Sequence, residues 1–365
     1  MSAKLLHGPR PCAFGGGVAI AELQDFAVSR TQGLSGGITA LRKRVPAAMF
    51  ALAALGTTAA ANAATTPTVA QLLDAANAEY VVGGVPNGMT AFKVNGQPVT
   101  YTNESDGTSA QVWVTPQQQI IIAYQGTSGG EYVFINPMIF ASQLVTDLQA
   151  FLTNSTPQAF KNALSFANNV LTWAGQQGYS PANVFVTGHS LGGWEAEYVA
   201  QHAGLGGIGF EAPCLRTTVA GNGANSNFFN TATYGSPVGS FGSDIQGDQP
   251  FSPPYVAGGG ACPHYGSIVM LGTPGNQNQL SNEVANWGSW NIFLQAAALG
   301  NILALVVEYH LPGVQAYNLN VSLNPSWEPF DEIGNMSGPV YTGAGNYTIP
   351  QALQAASAAG ILIQP

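Results

Sequence analysis

The feature that most constrains the fold is the run Gly188-His189-Ser190-Leu191-Gly192-Gly193, set between Val184-Phe185-Val186-Thr187 and the helix-forming stretch Trp194 to His202. The first flank is short, β-branched and aromatic, as in a central parallel strand. A chain that turns sharply from such a strand into a helix crowds its backbone at the turn, so the positions around Ser190 must be glycine. Ser190 is then presented at the C-terminal edge of a sheet and at a helix N-terminus, where exposed N–H groups and the helix dipole favour developing negative charge. In a chain with 45 Gly, a Gly-x-Ser-x-Gly match alone is weak. The strand before and the helix after make this one specific, against the bland alternative of a glycine-rich turn.

The surrounding pattern supports an α/β architecture. Val69, Leu72, Leu73 and Ala76 have helical spacing within Thr68 to Tyr80, and the period then changes to two. Strands are predicted at Ala91 to Val94, after an Asn95-Gly96 turn at Val99 to Tyr101, at Gln111 to Val114 and in the buried run Ile120 to Tyr124. Helices are expected over about 140–153 and 157–177, and further strands at Gly207 to Phe210 and Phe228 to Tyr234. Strands alternating with helices predict a mostly parallel sheet covered on both faces, in one domain over 64–365.

A serine hydroxyl needs a general base. His189 lies inside the turn and His202 along the following helix, and both read as structural; that leaves His264 and His310. His310 is favoured, since it follows a long apolar stretch and precedes a candidate helix, whereas His264 reads as a locally bonded loop histidine. The acid that orients the base is less determined. Glu195, Glu197, Glu211, Asp244, Asp248, Glu283 and Glu308 all fall between Ser190 and His310, and Asp244 is the first choice, with Asp248 and Glu211 as alternatives. For an oxyanion, the Leu191 N–H and the N–H and hydroxyl of Thr127, just past Ile120 to Tyr124, are the candidate donors.

Charge and flanks bound the setting. Of nine Lys and Arg, six precede residue 64, leaving Lys93, Lys161 and Arg216 against sixteen Asp and Glu. A body so acidic repels phosphate backbones, so nucleic acid is not an expected partner. Arg42-Lys43-Arg44, an apolar run from Val45 to Leu55 and Ala61-Asn62-Ala63 read as a secretory signal over about 42–63, within a leader at 1–63 that export removes. A secreted or periplasmic location is expected. Cys214 and Cys262 remain, either a disulfide or two buried thiols, depending on whether their Cα atoms come within about 7 Å. Cys-x-x-Cys spacing is absent, and no metal or other cofactor is expected.

Together these residues resemble the fungal-type, or class 3, lipases of the α/β-hydrolase fold, over roughly 90–320. Tyr124-Gln125-Gly126-Thr127 looks like that family's oxyanion strand, with Gln125 where Arg is usual. Asp147 in Val145-Thr146-Asp147-Leu148 is similar to its Asp-Leu helix, Val184 to Gly193 to its nucleophile elbow, and Gly209 to Pro213 to its Thr-Phe-Gly-Ala-Pro strand end. His310 to Tyr317 resembles the stretch bearing its catalytic histidine. In Tyr234-Gly235-Ser236-Pro237-Val238-Gly239, Ser236 stands where the family has its catalytic Asp. The resemblance implies a serine ester hydrolase acting through an acyl-enzyme, on lipid or polyester esters; an acyltransferase, or a weakened fold that only binds an acyl ligand or surface, are the competing readings. Residues 285–307, almost continuously apolar from Trp290 to Val307, are a candidate lid that meets a lipid surface, or else core.

Overall fold

The computed structural model describes residues 65–81, 83–103, 108–127, 156–245, 261–287, 291–324 and 334–365. The expected leader at 1–63, the helix over 140–153, Asp147 and Asp248 lie outside the described residues.

The chain enters the fold through helix α1, Val69–Ala78. Thr68 and Gln71 cap its start reciprocally: the Thr68 hydroxyl accepts the Gln71 N–H at 3.2 Å, and the Gln71 amide oxygen accepts the Thr68 N–H at 2.9 Å. Leu72 and Leu73 are fully buried, each worth about 2 kcal/mol or more of apolar transfer.

A nine-stranded sheet forms the centre. Strands β1 (Thr90–Ala91), β4 (Thr100–Asn103), β5 (Thr108–Val114) and β6 (Ile120–Tyr124) make its antiparallel side, and β2 (Lys93–Val94) pairs only with β3 (Gln97–Pro98) in a hairpin around Asn95-Gly96. From β6 the sheet becomes parallel through β7 (Val184–His189), β8 (Gly206–Phe210), β9 (Phe228–Thr233) and β10 (Ser267–Leu271), and closes with the short antiparallel β11 (Leu362–Ile363). The parallel strands are buried along nearly their whole length, with only Gly206 and Ser267 at their starts half-buried.

Alternation along β6 divides two cores. Ile120, Ile122 and Tyr124 pack with Phe160 and Val170 of helix α2 (Gln158–Gln176) and with Trp194 and Val199 of helix α3 (Leu191–Ala203). Ile121 and Ala123 face the opposite core, with Leu72 and Leu73 of α1, Ala316 and Leu319 of Pro312–Leu319, and Ile349 of Ile349–Ala359. Helices therefore cover both faces, as the alternation of strands and helices along the sequence predicts.

Helices α4 (Asn276–Trp287) and α5 (Ile292–Tyr309) pack on one another and lead to α6 (Pro312–Leu319). The candidate lid falls on this pair and divides along α5. Ile302, Leu305, Val306 and Tyr309 are buried, whereas Ile292, Phe293 and Leu294 are exposed, Phe293 at 83%.

Candidate active site

The turn at Ser190 is as tight as its glycines imply. Ser190 has φ 60° and ψ −127°, a left-handed conformation rare for a side-chain-bearing residue and stabilised only by its surroundings. Its N–H donates to the Phe210 carbonyl at 2.8 Å, which ties the turn to the end of β8. A Cβ on Gly192 would overlap the Tyr124 carbonyl, and a Cβ on Gly188 would overlap that of Gly192, so the end of β6, the turn and the first turn of α3 interlock. Among the described residues, the buried Ser190 Oγ has no hydrogen-bond partner.

His310 sits at the junction of α5 and α6. Its N–H still donates to Val306, but Pro312 forces Leu311 out of helical geometry, to φ −67° and ψ 150°, and breaks the chain just past the histidine. The imidazole is fully buried and lies 4.8 Å, centroid to centroid, from the ring of His189, the residue before Ser190. Nε2 has no partner among the described residues; Nδ1 faces Glu211 Oε2 at 3.6 Å and Ser236 Oγ at 3.4 Å.

Glu211 follows β8 directly and has φ 55°, a second strained non-glycine backbone. Its N–H donates to the Thr231 carbonyl at 2.9 Å, and its Oε1 accepts the Thr233 N–H at 2.7 Å. These bonds fold the side chain over the end of β9. Gly239 leaves room for it, since a Cβ there would overlap Glu211 Oε2. Ser236, which also hydrogen-bonds Glu211, accepts the Gly239 N–H at 3.3 Å. Burial pushes Glu211 up to about 8 against opposing hydrogen bonds from Ser236, Thr233 and Gly239, and burial pushes His310 down to about 3.

Asp244, the first choice for the acid, is held elsewhere. Its Oδ1 is 2.9 Å from His264 Nδ1, while His264 Nε2 donates to the Ala212 carbonyl at 3.1 Å. Burial alone would lower the His264 pKa, but the Asp244 charge and hydrogen bond, with Glu197 and the Ala212 carbonyl, outweigh it and raise the value. His264 is thus the locally bonded histidine the sequence suggests, and Asp244 is its partner rather than that of His310. The 262–264 segment is held there by backbone bonds, Ser243 N–H to the Cys262 carbonyl at 2.8 Å and Leu215 N–H to the Pro263 carbonyl at 3.0 Å, beside a Cys214–Cys262 disulfide with Cα atoms 5.4 Å apart. His202 bonds its own helix at the Tyr198 carbonyl, 2.9 Å away.

On the other side of the turn, Gln125, Gly126 and Thr127 continue β6. A Cβ on Gly126 would overlap the His189 carbonyl oxygen, which places this segment against the elbow. Thr127 is buried, and Leu191 opens α3, where its N–H lies among those with no carbonyl inside the helix to bond. Tyr80, just past the end of α1, also enters the site, with its hydroxyl 2.9 Å from His189 Nδ1. Sequence reading did not single out Tyr80, because a tyrosine ending an amphipathic helix is ordinarily core.

No protein-family model matches the chain, and no curated protein matches it either. Among solved structures, an extracellular lipase, LipA, from Serratia marcescens overlaps 41% of this chain, at 20% identity and a TM-score of 0.30. The chain spans 28% of that lipase's length.

Proposed function

We propose that this protein is a secreted serine ester hydrolase of the α/β-hydrolase kind, a distant relative of the fungal-type lipases, with Ser190 as nucleophile, His310 as base and Glu211 as acid. The observation that carries the reading is the position of His310: Nδ1 is turned to Glu211 and Ser236, the ring lies against the elbow of Ser190, and Nε2 is unpartnered among the described residues. The contact to Glu211, at 3.6 Å, is longer than a hydrogen bond, as catalytic contacts often are before substrate binds.

In the proposed reaction Ser190 Oγ attacks the ester carbonyl carbon and His310 Nε2 takes the hydroxyl proton. The oxyanion is stabilised by the Leu191 N–H and by Thr127. Collapse breaks the bond to the leaving alcohol, which receives the proton from His310, and water then releases the acid from Ser190 by the same steps in reverse order. The alcohol product and the acyl-enzyme need no cofactor.

Lipid or polyester esters are the proposed substrates. His310 caps α5 and must stay on Glu211, so only the N-terminal half of α5, with Ile292, Phe293 and Leu294 exposed, is free to act as the surface-seeking lid. The disulfide supports export to an oxidising compartment. The test is turnover of p-nitrophenyl esters: wild type hydrolyses them, and Ser190→Ala does not. Equal activity in Ser190→Ala would rule the reading out.

A further inference from the structure

The residue before Ser190 is not passive packing. His189 is 1% exposed, and both its ring nitrogens are engaged. Nε2 lies 2.7 Å from the backbone carbonyl of His310. A carbonyl oxygen can only accept, so Nε2 carries the hydrogen. Burial first, and then the nearby His310, lower the His189 pKa well below its ordinary value, so the ring is neutral and Nδ1 has no hydrogen. Nδ1 therefore accepts from the Tyr80 hydroxyl, 2.9 Å away. The Tyr80 oxygen in turn accepts the N–H of Gly126, on the segment beside Thr127. Tyr80 is itself buried, its ring edge-on to His189 with centroids 5.7 Å apart.

From this chain of donors and acceptors we infer that Tyr80 and His189 are positioning residues, which fix the His310 backbone and the Gly126-Thr127 segment relative to Ser190. The Tyr80 hydroxyl also lies 3.2 Å from the His189 carbonyl, the longer of its two acceptors, so the chain runs Gly126 N–H to Tyr80, Tyr80 O–H chiefly to His189 Nδ1, and His189 N–H to His310. The two ends are the segments proposed to supply the oxyanion donor and the base, which belong to different parts of the chain. A catalytic group displaced by about 1 Å loses on the order of a hundredfold in rate, so such a chain matters to the rate without touching substrate. The His310 imidazole is left to Glu211 and Ser236 because His189 bonds only its carbonyl. A neutral histidine suits position 189 because it accepts at one ring edge and donates at the other on a rigid ring.

The inference rests on the ester hydrolase reading, and the test separates the two. Wild type, Tyr80→Phe, His189→Gln, His189→Leu and Ser190→Ala are compared in turnover of p-nitrophenyl butyrate and in labelling by diethyl p-nitrophenyl phosphate. Tyr80→Phe, which removes one hydroxyl, should lower kcat about tenfold with KM within about twofold, and should label to the wild-type stoichiometry at a rate about tenfold lower. His189→Leu should lose more, and His189→Gln, whose amide N–H can still reach the His310 carbonyl, should recover much of that loss. Labelling stoichiometry counts intact sites while the rate reads Ser190 activation, so a merely structural role would lower the first and spare the second. Wild-type kcat and labelling rate in Tyr80→Phe, or a loss confined to stoichiometry, would overturn the inference while leaving the hydrolase reading intact. A wild-type protein that neither turns over nor labels would overturn the hydrolase reading itself, and the inference with it.

Discussion

Glu211 Oε2 and His310 Nδ1 lie 3.6 Å apart with both side chains wholly buried, and Ser236 stands between them and the end of β9. Burial penalises the charged form of each, so the resting pair is pushed toward a neutral carboxyl beside a neutral imidazole. A protonated Glu211 would donate to Nδ1 and leave the hydrogen on Nε2, the wrong tautomer for accepting the Ser190 proton. Ionisation of Glu211 reverses this.

The first prediction concerns pH. Because the Glu211 pKa is raised to about 8, kcat/KM for a p-nitrophenyl ester should climb as pH rises toward 8, rather than level off near the ordinary histidine value of about 6.5. Stability should move oppositely. Glu79, Glu197 and Glu211 are each raised to about 8, chiefly by burial, so between about 4.5 and 8 the unfolded chain has ionised these groups and the folded chain has not. Their contribution is present at low pH and lost as pH rises through about 8. The melting temperature should therefore fall from pH 6.5 to pH 8.5 while activity rises, and parallel changes in the two would contradict the assignment.

A second prediction uses Ser236. Its Oγ is already 3.4 Å from His310 Nδ1, the place where the resemblance puts an Asp. Glu211→Gln should abolish most activity, and adding Ser236→Asp should restore at least tenfold of it, since the carboxylate returns to the same ring nitrogen from the neighbouring strand end. Steady-state turnover of the single and double variants checks this. No recovery in a folded double variant would argue that Glu211 acts through something other than His310 Nδ1.

Much of this was legible in the sequence. The runs Ile120 to Tyr124, Val184 to Thr187 and Gly207 to Phe210 are apolar and bounded by turns, and each became a parallel strand because only a sheet buried on both faces accommodates such runs. The tight turn at Ser190 was readable because its crowding demands glycines at fixed offsets. The acid was not, because nothing local marks a carboxylate as the partner of a distant histidine. Asp244 lies in the loop after β9, but in the fold its carboxylate meets His264, 2.9 Å away. Glu211 is betrayed only by its left-handed backbone, which no residue type at that position announces. Tyr80 was hidden for the same reason, 109 residues away from the histidine it bonds.

The disulfide supplies a third prediction. It spans 48 residues between Cys214 and Cys262, so it should stabilise the fold by about 4 kcal/mol through the unfolded chain. Replacing both cysteines by Ala should lower the melting temperature by on the order of 10 °C. Because Cys214 follows Glu211 by three residues and its N–H donates to the Phe241 carbonyl at 2.8 Å, activity should fall well before unfolding as temperature rises. Calorimetry and residual turnover over the same range measure both, and coincident loss in the two would contradict it.

The central claim is that Glu211, and not Asp244, completes the site with Ser190 and His310, and comparing kcat for Glu211→Gln with kcat for Asp244→Asn tests it most directly. Both changes replace a carboxyl group by an amide and keep the side chain's shape. Glu211→Gln should lower kcat by about 10³- to 10⁴-fold, the usual consequence of losing the acid that orients the base, while Asp244→Asn should leave kcat within about threefold at a temperature where the protein is folded. Near wild-type kcat in Glu211→Gln, or an equally large loss in Asp244→Asn, would contradict the account.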